Sequence, residues 1–267
     1  MTENKNTIEK IKDWYRFIIN KKATLVQNTN KYALDLFGEA LLDYQNKNYI
    51  EDIKTFSSLD EEDTMPLPYL FRSYKNMPVL EQKALQLCKG TVLDIGAGAG
   101  SHSLYLQNKG LEVTALDISS GAINTCKLRG VKNTITRNIL DFSGTKFDTL
   151  LLLMNGIGIV RKLSNLNYYL KHLKTLLNSK GQILLDSSDI IYMFEQDNDG
   201  AYWIESSQNY YGEVTFTLEY KHKKSKPFGW LYLDFNTLKN AAEANNFTCT
   251  LVREGKHYDY LARLELY

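Results

Sequence analysis

The stretch VLDIGAGAGSHSLYL, residues 92–106, decides the fold of this 267-residue chain. Val92, Leu93 and Ile95 have the apolar pattern of a buried strand, and three glycines follow at alternate positions. Because glycine has no Cβ, backbone N–H groups in such a turn can approach an anionic or polar ligand at the start of a helix. The stretch therefore predicts a strand, a ligand-binding turn and a helix in direct succession.

The spacing of the glycines indicates the class of ligand. The dinucleotide pattern G-x-G-x-x-G requires a third glycine at 101 or 103, where this chain has Ser101 and Ser103. Asp94 lies within the strand, and its carboxylate would repel a pyrophosphate but suits a cofactor with an amino cation. S-adenosylmethionine is such a cofactor.

A second acid strengthens this interpretation. The segment GLEVTALDIS predicts another strand that ends at Asp117. In a strand–helix–strand unit, an acid at this position can accept hydrogen bonds from both ribose hydroxyls. A glycine turn alone is weak evidence, whereas the turn, the helix and the acid together form a specific pattern.

These motifs resemble those of the class I S-adenosylmethionine-dependent methyltransferases, over residues 91–186 and more loosely over 230–267. The resemblance implies a Rossmann-like α/β fold with a mostly parallel seven-stranded sheet and helices on both faces. It also implies S-adenosylmethionine as the cofactor. The cofactor-binding residues that it implies are Asp94, Gly96, Ala97, Gly98, Gly100, Asp117, Ile118, Asn138, Ile139, Asp141, Met154, Asn155 and Arg72.

Several of these roles are specific. Asp94 and the glycines hold the amino-acid end of the cofactor, Asp117 holds the ribose, and Ile118 packs on adenine. The acid that usually meets the adenine amino group is replaced by Asn138, with Asp141 three residues later, so either oxygen is a candidate. Arg72 is a candidate for a bidentate contact with the methionine carboxylate.

The only catalytic candidate is Asn155, which follows the fourth predicted strand nearest the transferring methyl group. Its amide is suited to orient a substrate heteroatom, and a plain Asn-Gly turn with Gly156 is an equal alternative. His102 begins a helix, where a polar residue needs no catalytic role.

The chain divides into an N-terminal helical lid, residues 1–80, and a methyltransferase domain, residues 81–267. Apolar stripes at 8–18 and 32–44 predict amphipathic helices, and the proline- and acid-rich segment 57–78 predicts an exposed connecting loop. Five strands are predicted near 91–95, 111–116, 133–137, 147–153 and 182–186, with two antiparallel strands at the C-terminus. One helix is expected from Ser164 through Leu177 to Gly181, and another is expected to be capped by Asn236.

An insertion at about 187–229 interrupts this alternation. It contains a predicted β-hairpin, EVTFTLEYKHKK followed by KPFGWLYLD, and an aromatic segment before it. Such a long segment is typically functional, so we expect it to cover the acceptor; a dimer interface is the alternative. The predicted substrate pocket consists of Tyr69, Tyr74, Tyr192 and Trp203.

Composition narrows the function. The net charge is +1, so a nucleic-acid partner has no electrostatic support, although the basic run 221–226 is a possible docking element for a protein or tRNA acceptor. No apolar run is long enough to span a membrane, and three separated cysteines indicate a reducing compartment, so a cytoplasmic protein is expected. No metal site is expected.

The acceptor is predicted by elimination. Asn155 is not followed by the Pro-Pro-aromatic sequence that holds a flipped base, and the chain has no Pro-Cys pair. A small-molecule methyltransferase is the leading hypothesis, acting as a monomer or homodimer. The alternatives are a protein or tRNA methyltransferase and a non-catalytic protein that binds S-adenosylmethionine.

Overall fold

The computed structural model describes residues 35–197, 199, 202 and 210–267. The predicted helix at 8–18 and the pocket candidate Trp203 lie outside the described residues. Residues 35–267 form one compact unit, in which the segment 35–80 packs with later segments of the same unit.

The main sheet has seven strands in the order β11-β12-β7-β6-β3-β4-β5. Strands β3 to β7 run parallel, and β12 and β11 add antiparallel strands at one edge. This confirms the predicted Rossmann-like sheet. Its strands are β3 (Thr91–Ile95), β4 (Glu112–Asp117), β5 (Asn133–Thr136), β6 (Phe147–Leu152), β7 (Leu177–Ser188), β11 (Phe247–Glu254) and β12 (Asp259–Leu266).

Helices cover both faces of this sheet, because alternate residues of each strand point to opposite sides. Leu150 and Leu152 pack with α6 and α7, whereas Leu151 packs with α3 and α4. The helices are α1 (Leu36–Gln45), α2 (Leu67–Leu70), α3 (Val79–Leu87), α4 (Ser101–Asn108), α5 (Ser120–Leu128), α6 (Leu166–Thr175) and α7 (Phe235–Ala244).

A second, antiparallel sheet joins the N-terminal segment to the insertion. Its order is β10-β8-β1-β2, with the short β9 paired to β8. The predicted hairpin is confirmed, since Trp230 of β10 pairs with Val214 of β8. The strands are β1 (Ile53–Ser57), β2 (Glu62–Met65), β8 (Glu213–Tyr220), β9 (Lys223–Lys224) and β10 (Phe228–Leu231).

Three local predictions were wrong. The start of the expected loop 57–78 contributes to β1 and β2, because β8 supplies hydrogen-bonding partners that local sequence does not reveal. Helix α6 ends at Thr175, and Leu177 begins β7, since an apolar leucine suits either element. Asp234, not Asn236, caps α7 by accepting a hydrogen bond from Thr237 N at 2.9 Å.

Helix α1 confirms the second apolar stripe and lies against α5. Leu36, Ala40 and Leu41 are buried. Asp35 joins the two helix starts: it accepts hydrogen bonds from Gly38 N at 2.9 Å and from Ser119 Oγ at 2.8 Å. The segment that precedes the main sheet is thereby tied to the loop after β4. No helix in the described part of the chain is long and apolar enough to cross a membrane.

Candidate cofactor site and active site

The glycine turn links β3 to α4 and leaves open space at its first glycine. Gly96, Gly98 and Gly100 all have positive φ angles, of 77°, 52° and 79°. A Cβ on Gly96 would meet no atom within 4 Å, whereas a Cβ on Gly100 would lie 2.9 Å from Cys126 Sγ. Gly100 is therefore required for packing, and Gly96 borders a cradle that a side chain would fill.

Asp94 lies beneath this turn and is 2% exposed. Ser103 Oγ donates a hydrogen bond to its carboxylate at 2.6 Å. Burial raises the pKa of Asp94, and His102 and Ser103 oppose this rise. The serine that breaks the dinucleotide pattern thus has a defined role, which is to hold the buried acid.

Asp117 ends β4 and orders the neighbouring backbone. Its carboxylate accepts hydrogen bonds from Gly98 N at 2.9 Å and from Ser119 N at 2.8 Å. Burial raises its pKa. Ile118, the next residue, is 51% exposed, which leaves an apolar surface beside the acid. This pair has the chemistry that a ribose and an adenine face require.

The loop after β5 carries both candidates for the adenine amino group. Asn138 Oδ1 accepts a hydrogen bond from Leu140 N at 3.0 Å and so caps a short 3₁₀ helix. Asp141 at the end of that helix is exposed, and Ile139 between them is buried. Both candidates thus remain, with the Asn138 oxygen already engaged by the backbone.

A buried triad of ionisable side chains lies next to the turn. Arg72 pairs with Glu81, and His102 Nε2 lies 2.8 Å from Glu81 Oε2. Burial acts to raise the pKa of Glu81, but His102 and Arg72 outweigh it and hold this pKa below its usual range. The Nε of Arg72 is buried with no hydrogen-bond partner among the described residues. The sequence pattern does not single out Glu81, and it indicates for His102 only a position at the start of a helix.

The loop after β6 is held by an acid from the neighbouring strand. Met154 and Asn155 both have left-handed backbone conformations. Asp186 of β7 accepts hydrogen bonds from Met154 N at 3.1 Å and from Gly156 N at 3.2 Å. Burial raises the pKa of Asp186 to about 7. Its signal in the sequence, an acid at the carboxyl end of a predicted strand, was the same as that of Asp117.

The contacts of Asn155 favour the turn interpretation. Its amide nitrogen donates to the Leu231 carbonyl at 3.2 Å, and its amide oxygen accepts from Ser187 Oγ at 2.8 Å. Both ends of the amide are therefore used to join the loop after β6 to β7 and to the last residue of β10. The acid with a raised pKa beside this loop is Asp186 of β7.

The three described aromatic candidates have different neighbours. Tyr69 is 41% exposed and lies under the Arg72 guanidinium, 3.9 Å from ring centroid to Cζ. Tyr74 instead stacks on Tyr105 of α4 at 4.1 Å between ring centroids, and Tyr192 stacks on Tyr258 at 5.1 Å. An open groove of about 540 Å³ is lined by Leu59, Glu61, Tyr192, Met193, Phe194 and Glu195.

The basic hairpin has acidic partners of its own. Lys221 pairs with Asp43 at 2.6 Å, and Lys223 pairs with Glu39 at 2.9 Å. Lys224 pairs with Glu219 of the same sheet at 3.2 Å. These contacts neutralise much of the charge that made segment 221–226 a candidate docking element.

Comparison with known proteins places this geometry in a family. Residues 92–181 match the model of a methyltransferase domain. A Bacteroides fragilis S-adenosylmethionine-dependent methyltransferase, solved with S-adenosylhomocysteine, is similar over 87% of this chain and 94% of its own, with 45% identity and a TM-score of 0.80. No curated protein matches the chain.

More distant structures share the fold alone. The PH0226 protein of Pyrococcus horikoshii is 19% identical with a TM-score of 0.53, over 70% of this chain and 88% of its own. CalS10 of Micromonospora echinaspora, an amino pentose methyltransferase solved with S-adenosylmethionine, is 14% identical with a TM-score of 0.51, over 71% and 89%.

Residues of this chain fit the cofactor that these relatives imply. The open cradle at Gly96, the buried acids Asp94 and Asp117 and the exposed Ile118 match its amino-acid, ribose and adenine parts. All lie at or directly after the carboxyl ends of the parallel strands β3 and β4, and this edge is the usual ligand site of open α/β folds. The chain belongs to the S-adenosylmethionine-dependent methyltransferases and uses S-adenosylmethionine as its cofactor.

Proposed function

We propose that this enzyme methylates a small-molecule acceptor. When bound, the cofactor supplies a methyl group on a sulfonium, which is already activated for transfer. The protein therefore needs mainly to hold the acceptor in line with that methyl group, and such positioning supplies a large part of the rate. Positioning of this kind needs no catalytic triad, and the sequence shows none.

Individual residues hold the cofactor in this proposal. Asp94 and the glycine turn bind its amino-acid end. Arg72 binds its carboxylate through Nε alone, because Nη1 donates to the Tyr69 carbonyl and Nη2 pairs with Glu81. Asp117 binds the ribose hydroxyls. Ile118 packs on the adenine, whose amino group meets Asn138 or Asp141.

The observation that carries the small-molecule assignment is the pairing of the hairpin lysines. A tRNA or acidic protein surface needs free cations, whereas Lys221, Lys223 and Lys224 each have an acidic partner. The groove beside Tyr192 is instead apolar and aromatic with two carboxylates. Its chemistry suits a compact, amphipathic ligand.

The test is methyl transfer from labelled S-adenosylmethionine into a cell extract that is divided by size. We expect the label in the fraction that passes an ultrafiltration membrane. The Gly96→Ala variant serves as a control, since it should reduce labelling that depends on the cofactor site when the cofactor is not saturating. Label retained with protein or RNA would contradict the proposal.

A further inference from the structure

Asp186 is a partly buried acid with an unusual set of neighbours. Its two oxygens accept the N–H groups of Met154 and Gly156, the loop at the carboxyl end of β6. No basic side chain among the described residues forms a salt bridge with Asp186. It therefore lies at the edge where ligands bind and has backbone donors but no cation of its own.

The charged groups facing Asp186 come from two helices and the segment before them. Glu81 of α3 acts to raise its pKa, and His102 of α4 acts to lower it. Burial raises the pKa of Tyr69, Arg72 lowers it, and the charges of Glu81 and Asp186 add to the rise. Arg72, the nearby cation, pairs with Glu81 through Nη2.

This surrounding makes the ionisation of Asp186 sensitive to a new charge. Burial and Glu81 hold its pKa up to about 7, so both protonation states are populated near neutral pH. A cation that enters the site favours the carboxylate, and its removal favours the protonated acid. The cofactor carries a sulfonium cation, and its demethylated product carries none.

We propose that Asp186 is the proton acceptor of the methyl transfer, and that its charge follows the charge of the sulfur. This rests on the proposed function. The acceptor's X–H bond breaks and an X–CH₃ bond forms, while the S–CH₃ electron pair stays on sulfur. The proton moves to the Asp186 carboxylate. One positive and one negative charge disappear together, so the net charge of the buried site is unchanged.

The assignment limits the acceptor class. A nucleophile that has to lose a proton, such as an amine or a phenol, needs such a group, and general bases act best when their pKa lies near the working pH. A purely structural role, in which Asp186 only braces the Met154–Asn155 turn, predicts no response to the charge of the ligand.

The experiment measures protons exchanged on ligand binding by the full chain. Calorimetric titrations with S-adenosylmethionine and with S-adenosylhomocysteine are repeated in buffers of different ionisation enthalpy, between about pH 6 and pH 8. The two ligands share their ammonium and carboxylate, so the difference between them isolates the sulfonium. We expect S-adenosylmethionine to release up to about one proton more than S-adenosylhomocysteine near pH 7.

Variants identify the responsible group. Asp186→Asn should abolish the difference, whereas His102→Gln should retain it. Glu81→Gln removes a negative charge near Asp186, so the difference in proton release between the two ligands should move to lower pH without being lost. This variant tests the role of Asp186 even if Asp186→Asn does not fold. Asp148→Asn, on the opposite edge of the same sheet, is the matched control.

Two results would overturn the inference. One is equal proton exchange with both ligands in the unmodified protein. The other is a difference that survives Asp186→Asn, or that disappears in Glu81→Gln or His102→Gln. Failure of either ligand to bind would instead contradict the cofactor site itself.

Discussion

The two sheets of this enzyme differ in how far apart in sequence their partners lie. In the main sheet, β3 and β4 are joined by one turn and one helix, and Asp117 contacts Gly98 of that turn. In the second sheet, Lys54 of β1 pairs with Glu219 of β8. The cofactor half of the molecule, which comprises β3, the glycine turn, α4 and β4, is thus assembled from neighbouring segments. The second sheet instead pairs strands that lie far apart in the sequence.

This difference shows which parts of the sequence are constrained by binding a cofactor. A cofactor with fixed parts requires particular residues at fixed spacing, such as a glycine with open space at Gly96 and an acid at Asp117. The second sheet requires only extended backbone and buried side chains. Its strands β1 and β2 therefore carry no motif of their own.

The largest expected effect tests whether the second sheet is an integral part of the fold. Ile53 of β1 is fully buried in a cluster with Leu41 and Tyr220. Ile53→Ala should lower the free energy of unfolding by about 2–5 kcal/mol, because it leaves a cavity. Chemical denaturation measures this change.

The adjacent residue provides the control for that experiment. Lys54 is exposed on the same strand, so Lys54→Ala should change the free energy of unfolding by only about 0.5 kcal/mol. Similar small losses for both variants would show that the second sheet is an appendage, and the comparison between the two sheets would then fail.

The next effect concerns the cofactor half. Asp117→Ala removes the acceptor of two backbone N–H groups and the group assigned to the ribose. Affinity for S-adenosylhomocysteine should fall by about 1–3 kcal/mol. Titration calorimetry measures it, and unchanged affinity would mean that the ribose lies elsewhere.

The sequence predicted the strands around the glycine turn well for a physical reason. Asp94, the glycines and Asp117 form a pattern at fixed spacing, and the strands around them are continuous apolar runs. The alternation of strands and helices predicted the mostly parallel sheet, and two consecutive strands at the C-terminus predicted the antiparallel pair.

The second sheet and the contacts of the buried site residues could not be predicted from the sequence, because they depend on contacts between distant segments. Strand β2 lies within the predicted loop 57–78, and it pairs with β1, whose other partner β8 is far away in sequence. The triad of Arg72, Glu81 and His102 joins three separate segments, and no local spacing marks it. Residue type alone places Tyr74 and Tyr192 in one predicted pocket. In the structure, Tyr74 stacks on Tyr105, and Tyr192 stacks on Tyr258.

The smallest effect tests the junction between the two regions. Asp35 caps α1 and also accepts hydrogen bonds from Ser119 Oγ and Gly121 N. Asp35→Ala should destabilise the protein by about 0.5–2 kcal/mol, the usual range for losing a helix cap. Proteolysis should also cleave α1 sooner.

A matched variant separates the two roles of Asp35. Asp35→Ser keeps a capping oxygen at the start of α1, but its shorter side chain should not reach Ser119 and Gly121. We expect it to restore most of the stability while leaving α1 more sensitive to protease. Equal behaviour of the serine and alanine variants would exclude a separate capping role.

The most direct test of the central claim compares two glycines with similar backbones. Gly96 and Gly110 have φ angles of 77° and 89°, and a Cβ on either would meet no atom within 4 Å. Alanine at either position therefore brings a similar backbone strain. Only Gly96 borders the cradle assigned to the cofactor.

The measurement is titration of both variants with S-adenosylhomocysteine, with thermal unfolding recorded alongside. The account predicts similar losses of stability, but an affinity about tenfold or more weaker for Gly96→Ala alone, since its methyl group intrudes on the ligand. Equal affinities in the two variants would contradict the assignment of the cofactor to this turn.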